Sequence, residues 1–558
     1  MSTTAAVFYK GDAYHTGGRQ LLGRQVAGEG FLKGLIQHGT SESVYCFTQT
    51  HAEFSQFCDR VKPWVGQPRQ LQWISADNPP QLSLPGAIFR PDSVISSLLW
   101  ERRFFDQHAY SICGITHSIA SKEALEDLGK LLLAPVQPWD ALVCPSIAVK
   151  TVVERLWDSW SEYLAQRTGG KPDRLIQLPV IPLGVDCATF PQGTAAIATR
   201  HSLRQKWGIG EQDIVVLYMG RLSLSTKAHP VPMCMALERA QRETGATVHL
   251  LLVGWFESDM ESIGFQESVQ LFCPSVNTLC LDGRSPENRT TVWAAADIFI
   301  SLADNLQETF GLTPSEAMAS GLPVVVADWN GYQTSVRHEV DGFRIPTLLP
   351  PSGAGLDLAL EHLNDRLGYG AFVAQVAMTT AVDIDACTQA LIHLIQDSDL
   401  RQRMGASGRQ RAEQVFDWKV VIAAHETLWQ DLAEIRATAS ASVPVQAGMS
   451  PYPLGDDPFH LFSHYPTATL TAEQMVHLGE MASTETLNLL QRFGVTNVGA
   501  ERRVSPETIA AMVQTIAQQG PQSVGTLFQQ YGGDRPLVLL QTIGYLLKFD
   551  VLRLGHNG

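Results

Sequence analysis

Residues 297–329, DIFISLADNLQETFGLTPSEAMASGLPVVVADW, constrain the fold of this chain more than any other stretch. Residues 298–302 and 323–327 are almost wholly apolar, as strands buried on both faces are, and between them lie a polar loop and a short helical pattern at 314–319. Two such strands joined through one helix form a parallel βαβ unit, in which the loop after the first strand and the helix N-terminus face a ligand crevice. That loop holds Glu308 and the Phe310-Gly311 turn, and Glu316 follows eight positions after Glu308. The first N–H groups of the helix have no intrahelical acceptor and favour an anion. Thr313-Pro314-Ser315-Glu316 also has the form of a capping box, with Thr313 as N-cap and Glu316 reaching back, which gives Glu316 a purely structural alternative.

At 558 residues the chain is too long for one core, so two or three domains are expected. Its 45% hydrophobic and 17% charged content is that of a folded protein, and a net charge of −15 argues against nucleic-acid backbone binding. Nine scattered cysteines without a CxxC pair fit reduced thiols. The N-terminal residues lack a basic region followed by a long apolar segment, and no apolar run approaches a membrane span. The expectation is a soluble, cytoplasmic protein.

The segment 308–316 with the following AMASGLPVV resembles the E-x7-E signature of the family 4 retaining glycosyltransferases. The resemblance implies an α/β GT-B fold: two Rossmann-like doubly wound domains facing a cleft. It implies that Glu308 and the amides of Phe310, Gly311, Leu312 and Thr313 hold a donor sugar and its diphosphate, while Glu316 binds the ribose.

Other segments fall into the same frame. Residues 5–9 read as a strand, followed by a glycine loop (Gly11, Gly17, Gly18, Gly23) and a helix at 25–37. The loop does not match GxGxxG, so no dinucleotide site is read there. By resemblance it faces the donor, with Gly23 at the closest approach; a plain turn glycine is the alternative. Strand patterns at 43–48, 70–75, 87–90, 111–118 and 141–146 continue the α/β rhythm. His117 ends one of them, and the resemblance places such a histidine beside the transferred sugar; an incidental histidine is the plain alternative. Residues 178–186 resemble the family's interdomain crossing.

In the second half, a strand at 213–218 ends in Gly220-Arg221, with Lys227 six residues after the arginine. Arginine binds phosphate as a fork and lysine as a point charge, which suits a departing diphosphate, although many family members place the lysine one residue nearer. Strands at 247–254 and 277–283 lead to Arg284, read either as a nucleobase contact or as a solvated side chain. Residues 341–346 resemble the family's DGxxxxP turn, and helices run on to about 436. Asp383-Ile384-Asp385 has the form of a metal-binding DxD but stands where acidic residues cap a helix at 386–395, so no metal site is assigned.

Residues 437–453 have the composition of a linker. Residues 454–558 show helical patterns at 471–481, 485–493, 506–519 and 536–547, then a strand-like 551–554, and faintly resemble a winged-helix domain. Six Lys/Arg against nine Asp/Glu there favour protein contact, acceptor recognition or dimerisation over DNA binding.

The expected organisation is therefore an N-terminal acceptor-side domain (1–186), a nucleotide-sugar domain with closing helices (187–436), the linker, and a small, mainly helical appendage. The implied activity is retaining, metal-independent transfer of a sugar from a nucleotide-sugar to an acceptor hydroxyl, with no cofactor. UDP-sugar is the default donor and GDP-sugar the next; the acceptor is open among saccharide, lipid, small molecule and protein. A GT-B epimerase or phosphorylase and a non-catalytic scaffold acting through 454–558 are the alternatives, because fold alone does not decide chemistry.

Overall fold

The computed structural model describes residues 4–15, 23–66, 69–224 and 226–555. Gly17 and Gly18 of the expected glycine loop lie outside the described residues. Two compact units separate at residue 452, Met1–Tyr452 and Pro453–Gly558.

The first unit contains two parallel six-stranded sheets. One is built from β1 (Thr4–Phe8), β2 (Ser43–Thr48), β3 (Gln70–Ser75), β4 (Gly86–Phe89), β5 (Ser111–Ile115) and β6 (Ala141–Val143), in the order β3-β2-β1-β4-β5-β6. The other contains β7 (Ile214–Met219), β8 (Val248–Gly254), β9 (Asn277–Asp282), β10 (Ile298–Ser301), β11 (Val324–Ala327) and β12 (Gly342–Ile345), in the order β12-β11-β10-β7-β8-β9, and is followed by the short antiparallel pair β13 (Thr347–Leu348) and β14 (Ala381–Val382). Both sheets thus have the doubly wound order, with a switch of direction between the first and fourth strands. This is the two-domain GT-B arrangement the sequence implies.

Both faces of each sheet are buried, as the unbroken apolar strands require. Along β7, Val216 and Tyr218 enter one core cluster while Val215, Leu217 and Met219 enter another. In the first sheet the buried Arg102–Asp140 pair, at 2.6 Å, ties the helix Ser96–Arg103 to the sheet, and Asp140 also accepts from the amides of Ile112 and Gln137. The helix Ile147–Thr168, bounded by the Ser146 cap and left-handed Gly169, is absent from the sequence reading.

Residues 177–181 run beside β6 through bonds such as Leu142 N to Gln177 O, and do not form a full strand. Pro179 and Pro182 remove the donors a longer ladder would need. The chain crosses between the sheets here and again at 416–418, and the crossings bond to each other through Val185 N to Phe416 O (2.7 Å) and Trp418 N to Val185 O (3.2 Å). Trp418 packs against Gly184, where an added Cβ would lie 2.3 Å from the ring. The helix Trp418–Thr438 then returns to the first domain and buries Val421, Ile422, Trp429 and Leu432 in its core.

Residues after it, read as linker, lie against the first domain. Ser442 bonds Gln137 in both directions, Arg103 donates to the Pro451 carbonyl, and Tyr452 packs on Trp100 at 4.7 Å between ring centroids.

Among its described residues the second unit has four helices longer than a single turn, Thr484–Arg492, Pro506–Gln519, Val524–Tyr531 and Pro536–Lys548. They pack beside an antiparallel sheet of β15 (Met475–Leu478), β16 (Gln522–Ser523) and β17 (Leu552–Leu554), with β15 in the middle. The helix expected at 471–481 is therefore a strand. Val476 is its one fully buried position between partly exposed neighbours, and β16 and β17 supply ladder partners on both sides. Among the described residues no helix is long and apolar enough to cross a membrane.

Candidate active site

A cleft of about 500 Å³ opens between the two sheets of the first unit, at the strand C-termini where doubly wound sheets bind ligands. Its floor is backbone. An added Cβ on Gly254 would lie 1.9 Å from Gly220 O, and one on Gly283 would lie 2.8 Å from Gly254 Cα, so three strand ends meet with no room for side chains. Gly220 itself has φ +154°.

Arg221 and Lys227 extend from the end of β7 into this cleft. Arg221 Nη1 is held by Glu257 at 2.7 Å, and Lys227 Nζ bonds Glu308 Oε2 at 2.5 Å. The intervening loop is braced from the helix Asp259–Phe272, whose Glu261 accepts from Leu224 N (2.6 Å) and Ser223 Oγ (2.9 Å). Fully buried Asn305 joins the two loops: its Nδ2 donates to the Lys227 carbonyl, its Oδ1 accepts from Gln307 N, and its carbonyl accepts from Trp329 Nε1.

Glu308 is buried beside the Phe310-Gly311 turn. Gly311 has φ +81°, and a Cβ there would lie 2.1 Å from the Tyr332 ring, whose hydroxyl is in turn fixed by Ser301 at 2.8 Å. Gly311 is the N-cap of the helix Leu312–Ala319, and no side chain caps it. The Thr313 capping box is corrected: the glycine turns the chain into the helix two residues early, so Thr313 already lies in the first turn. Leu312 and Thr313, whose first-turn N–H groups have no intrahelical acceptor, line the cleft, as does Glu316. Burial pushes the Glu316 carboxyl up to about 7, against the smaller opposing pull of Arg289 and Lys227.

Arg284, read either as a nucleobase contact or as a solvated side chain, stands apart from the cleft lining. Its guanidinium folds back on Asp282, two residues away, with Nη2 to Oδ2 at 3.0 Å and half its side chain exposed, and it does not line the cleft. Arg289, one turn into the helix Pro286–Ala295, lines it instead.

The first-domain wall holds Gly23, Arg24, His117 and Ser118. Among the described residues nothing lies within 4 Å of a Cβ built on Gly23, the first residue of the helix Gly23–His38. Gly28 is the packing glycine, since its Cβ would sit 2.2 Å from Ala13 O. His117 Nε2 lies 3.0 Å from the Pro91 carbonyl. A carbonyl only accepts, so Nε2 carries the proton, and burial lowers the ring's pKa, so Nδ1 is the ring's acceptor.

Among the bonds that cross from one domain to the other, Ser146 Oγ donates to Thr309 O at 2.7 Å and the Ile147 amide donates to Thr334 Oγ1 at 3.2 Å. Asp383 caps the helix Ile384–Gln396 through Ala386 N, and Asp385 pairs with Arg239. The structure brings Glu308, Glu316, Arg221, Lys227, His117, Gly220, Gly23 and residues 310–313 together around one cleft and leaves Arg284 outside. It adds Arg24, Trp255, Arg289 and Tyr369 to the lining, and Glu257 behind Arg221. Trp255 had a weak signal, an aromatic residue just after a strand ending in glycine.

Residues 199–348, which carry the β7 cations and both cleft glutamates, match the family model described as Glycosyl transferases group 1. The chain is 28% identical to the D-inositol 3-phosphate glycosyltransferase of Nocardia farcinica over 33% of its own length and 38% of the relative's. It is 30% identical to that of Xylanimonas cellulosilytica over 38% of its length and 50% of the relative's. The match thus spans half or less of these curated relatives. The solved structure of Anabaena Alr3699/HepE in complex with UDP is 18% identical with a TM-score of 0.46, covering 79% of this chain and all of that one.

Proposed function

We propose that the protein is a retaining glycosyltransferase that moves a sugar from a nucleoside diphosphate to an acceptor hydroxyl in this cleft. The observation that carries the reading is the convergence of Arg221, Lys227 and Arg289 with Glu308, Glu316 and an uncapped helix N-terminus on one space. Cations and free amides at one spot suit a diphosphate, and two carboxylates in the same cleft suit polyol hydroxyls.

In this reading the diphosphate lies between the Gly220–Lys227 loop and the amides of residues 311–313. Arg221, Lys227 and the helix terminus stabilise the charge that grows on it as the sugar departs, so no divalent cation is called for. Glu316 accepts from the ribose hydroxyls. Glu308, held by Lys227, orients the donor sugar with its other oxygen, and His117 Nδ1 accepts from a sugar hydroxyl. The acceptor attacks the face the leaving group vacates, and its proton passes to a phosphate oxygen, which makes Glu308 a positioning group and not a nucleophile. UDP is the first donor nucleotide to test and GDP the second. The matched family model lies wholly in the second domain, so the relatives' named acceptor, D-inositol 3-phosphate, is only one candidate to assay. Reduced, mostly buried cysteines support a cytoplasmic location.

A thermal-shift series with UDP-, GDP- and ADP-sugars tests the donor, since a ligand at about 100 times its Kd adds about 2.7 kcal/mol to stability. Glu308→Ala and Arg221→Ala are expected to abolish transfer in a folded protein. No shift with any nucleotide, or wild-type turnover in either variant, refutes the assignment.

A further inference from the structure

The second domain sends an excursion across the cleft that its own sheet does not need. The two-residue strands β13 (Thr347–Leu348) and β14 (Ala381–Val382) pair antiparallel as its base. Residues 349–380 between them form the helices Leu356–Leu363 and Tyr369–Ala377. The first of these buries none of its residues and leaves Leu356, Leu360 and Leu363 exposed, while Leu367, Val373 and Ala377 anchor the second.

Among the described residues, the excursion's bonds to the opposite domain fall on the segment just after His117. Tyr369 OH bonds Ser118 Oγ at 2.9 Å, and Lys122 Nζ reaches Leu363 O at 3.2 Å and Asp365 Oδ1 at 3.5 Å. Tyr369, His117, Ser118 and Ser121 line the same cleft as Glu308. The tyrosine therefore roofs the first-domain side of the cleft, the side from which a nucleophile must reach a sugar whose diphosphate is held by the second domain.

We infer that Tyr369, held down by Ser118, is a specificity-determining residue that selects the acceptor hydroxyl over water. The inference rests on the glycosyltransferase reading of this cleft. In the competing reaction, a water oxygen bonds to the anomeric carbon as that carbon's bond to the diphosphate oxygen breaks. The proton from water passes to the released diphosphate, and free sugar leaves. A roof that stays closed until an acceptor displaces it suppresses this loss without touching the donor's phosphates.

The test is nucleoside diphosphate release from UDP-glucose, or from the nucleotide-glucose that raises the melting temperature, with no acceptor present. Tyr369→Ala should raise hydrolysis by about tenfold or more over wild type. Tyr369→Phe and Ser118→Ala each remove one side of a single hydrogen bond and should raise it about two- to tenfold. The double variant should do no more than either single change, because both break the same bond. A residue that merely supported the fold would lower the melting temperature without this non-additive rise. Unchanged hydrolysis in folded Tyr369→Ala, or additive effects of the two milder changes, overturns the inference. If Tyr369→Ala does not fold, the milder pair decides. If the wild type binds none of the nucleotides, the parent reading fails and takes this one with it; binding with unresponsive variants removes only the roof.

Discussion

Glu316 offers a pH-dependent test of the cleft's chemistry. Its carboxyl stands on the second turn of the helix Leu312–Ala319 and titrates at about 7, where an exposed glutamate titrates at 4.5. The folded state therefore holds this proton at pH values where the unfolded chain has released it. It binds more protons across that window, so stability is full below pH 4.5 and falls as pH rises through 7. With each tenfold difference in proton affinity equal to about 1.4 kcal/mol, wild type should lose about 2.5 kcal/mol between pH 5 and pH 8 relative to a neutral isostere. Glu316→Gln should accordingly gain on wild type with rising pH, by about 2–3 °C in melting temperature over that range, at about 1 °C per kcal/mol for a unit of this size. Melting both proteins in a pH series at constant ionic strength measures this directly. Ribose hydroxyls donate to the ionised form and lower its pKa, so UDP binding at pH 7 should release up to about half a proton, read by calorimetry in buffers of different ionisation enthalpy. Melting temperatures that run parallel from pH 5 to 8 would refute the buried-carboxyl reasoning, and proton-neutral UDP binding would refute the ribose assignment.

Arg289→Ala should weaken nucleotide binding about tenfold or more, as expected for a charge-assisted bond, whereas Arg284→Ala should change it by less than about twofold; a titration of UDP into both variants compares them. Gly311→Ala should cost stability in urea well beyond Gly321→Ala. Both positions have φ near +80°, worth about 1–3 kcal/mol of strain, but only at Gly311 does the new methyl meet a ring, while nothing lies within 4 Å at Gly321. Asp140→Ala should cost about 3–5 kcal/mol in the same assay, because Arg102 would remain fully buried without its counter-ion.

The central parallel strands β1, β4, β7, β8, β10 and β11 were legible because each is a largely apolar run of four to seven residues whose burial on both faces shows in its own composition. The strand-loop-helix-strand unit at 297–329, with Glu308 and Glu316 on its cleft side, was legible for the same reason. The strand at 475–478 was not, since a helix and a strand with one buried position look alike until β16 and β17 stand beside it. The helix Ile147–Thr168 shows the opposite case: serine and glycine mark its ends, yet its apolar positions are too interspersed with polar ones to stand out as a periodic face.

Local chain chemistry settled the α/β class and the loop that carries the acidic pair, since apolar spacing and turn residues act within a few positions. Sheet order settled what those residues touch. Arg284 finds Asp282 two positions away and is used up there, while Arg289, one turn further on, faces the cleft. Arg221 is held by Glu257, 36 positions away, and Lys227 by Glu308, 81 positions away. Tyr369 meets Ser118 across 251 positions. No pattern in a short window encodes such partners, because their meeting depends on which strands lie side by side and how the chain crosses between the two sheets.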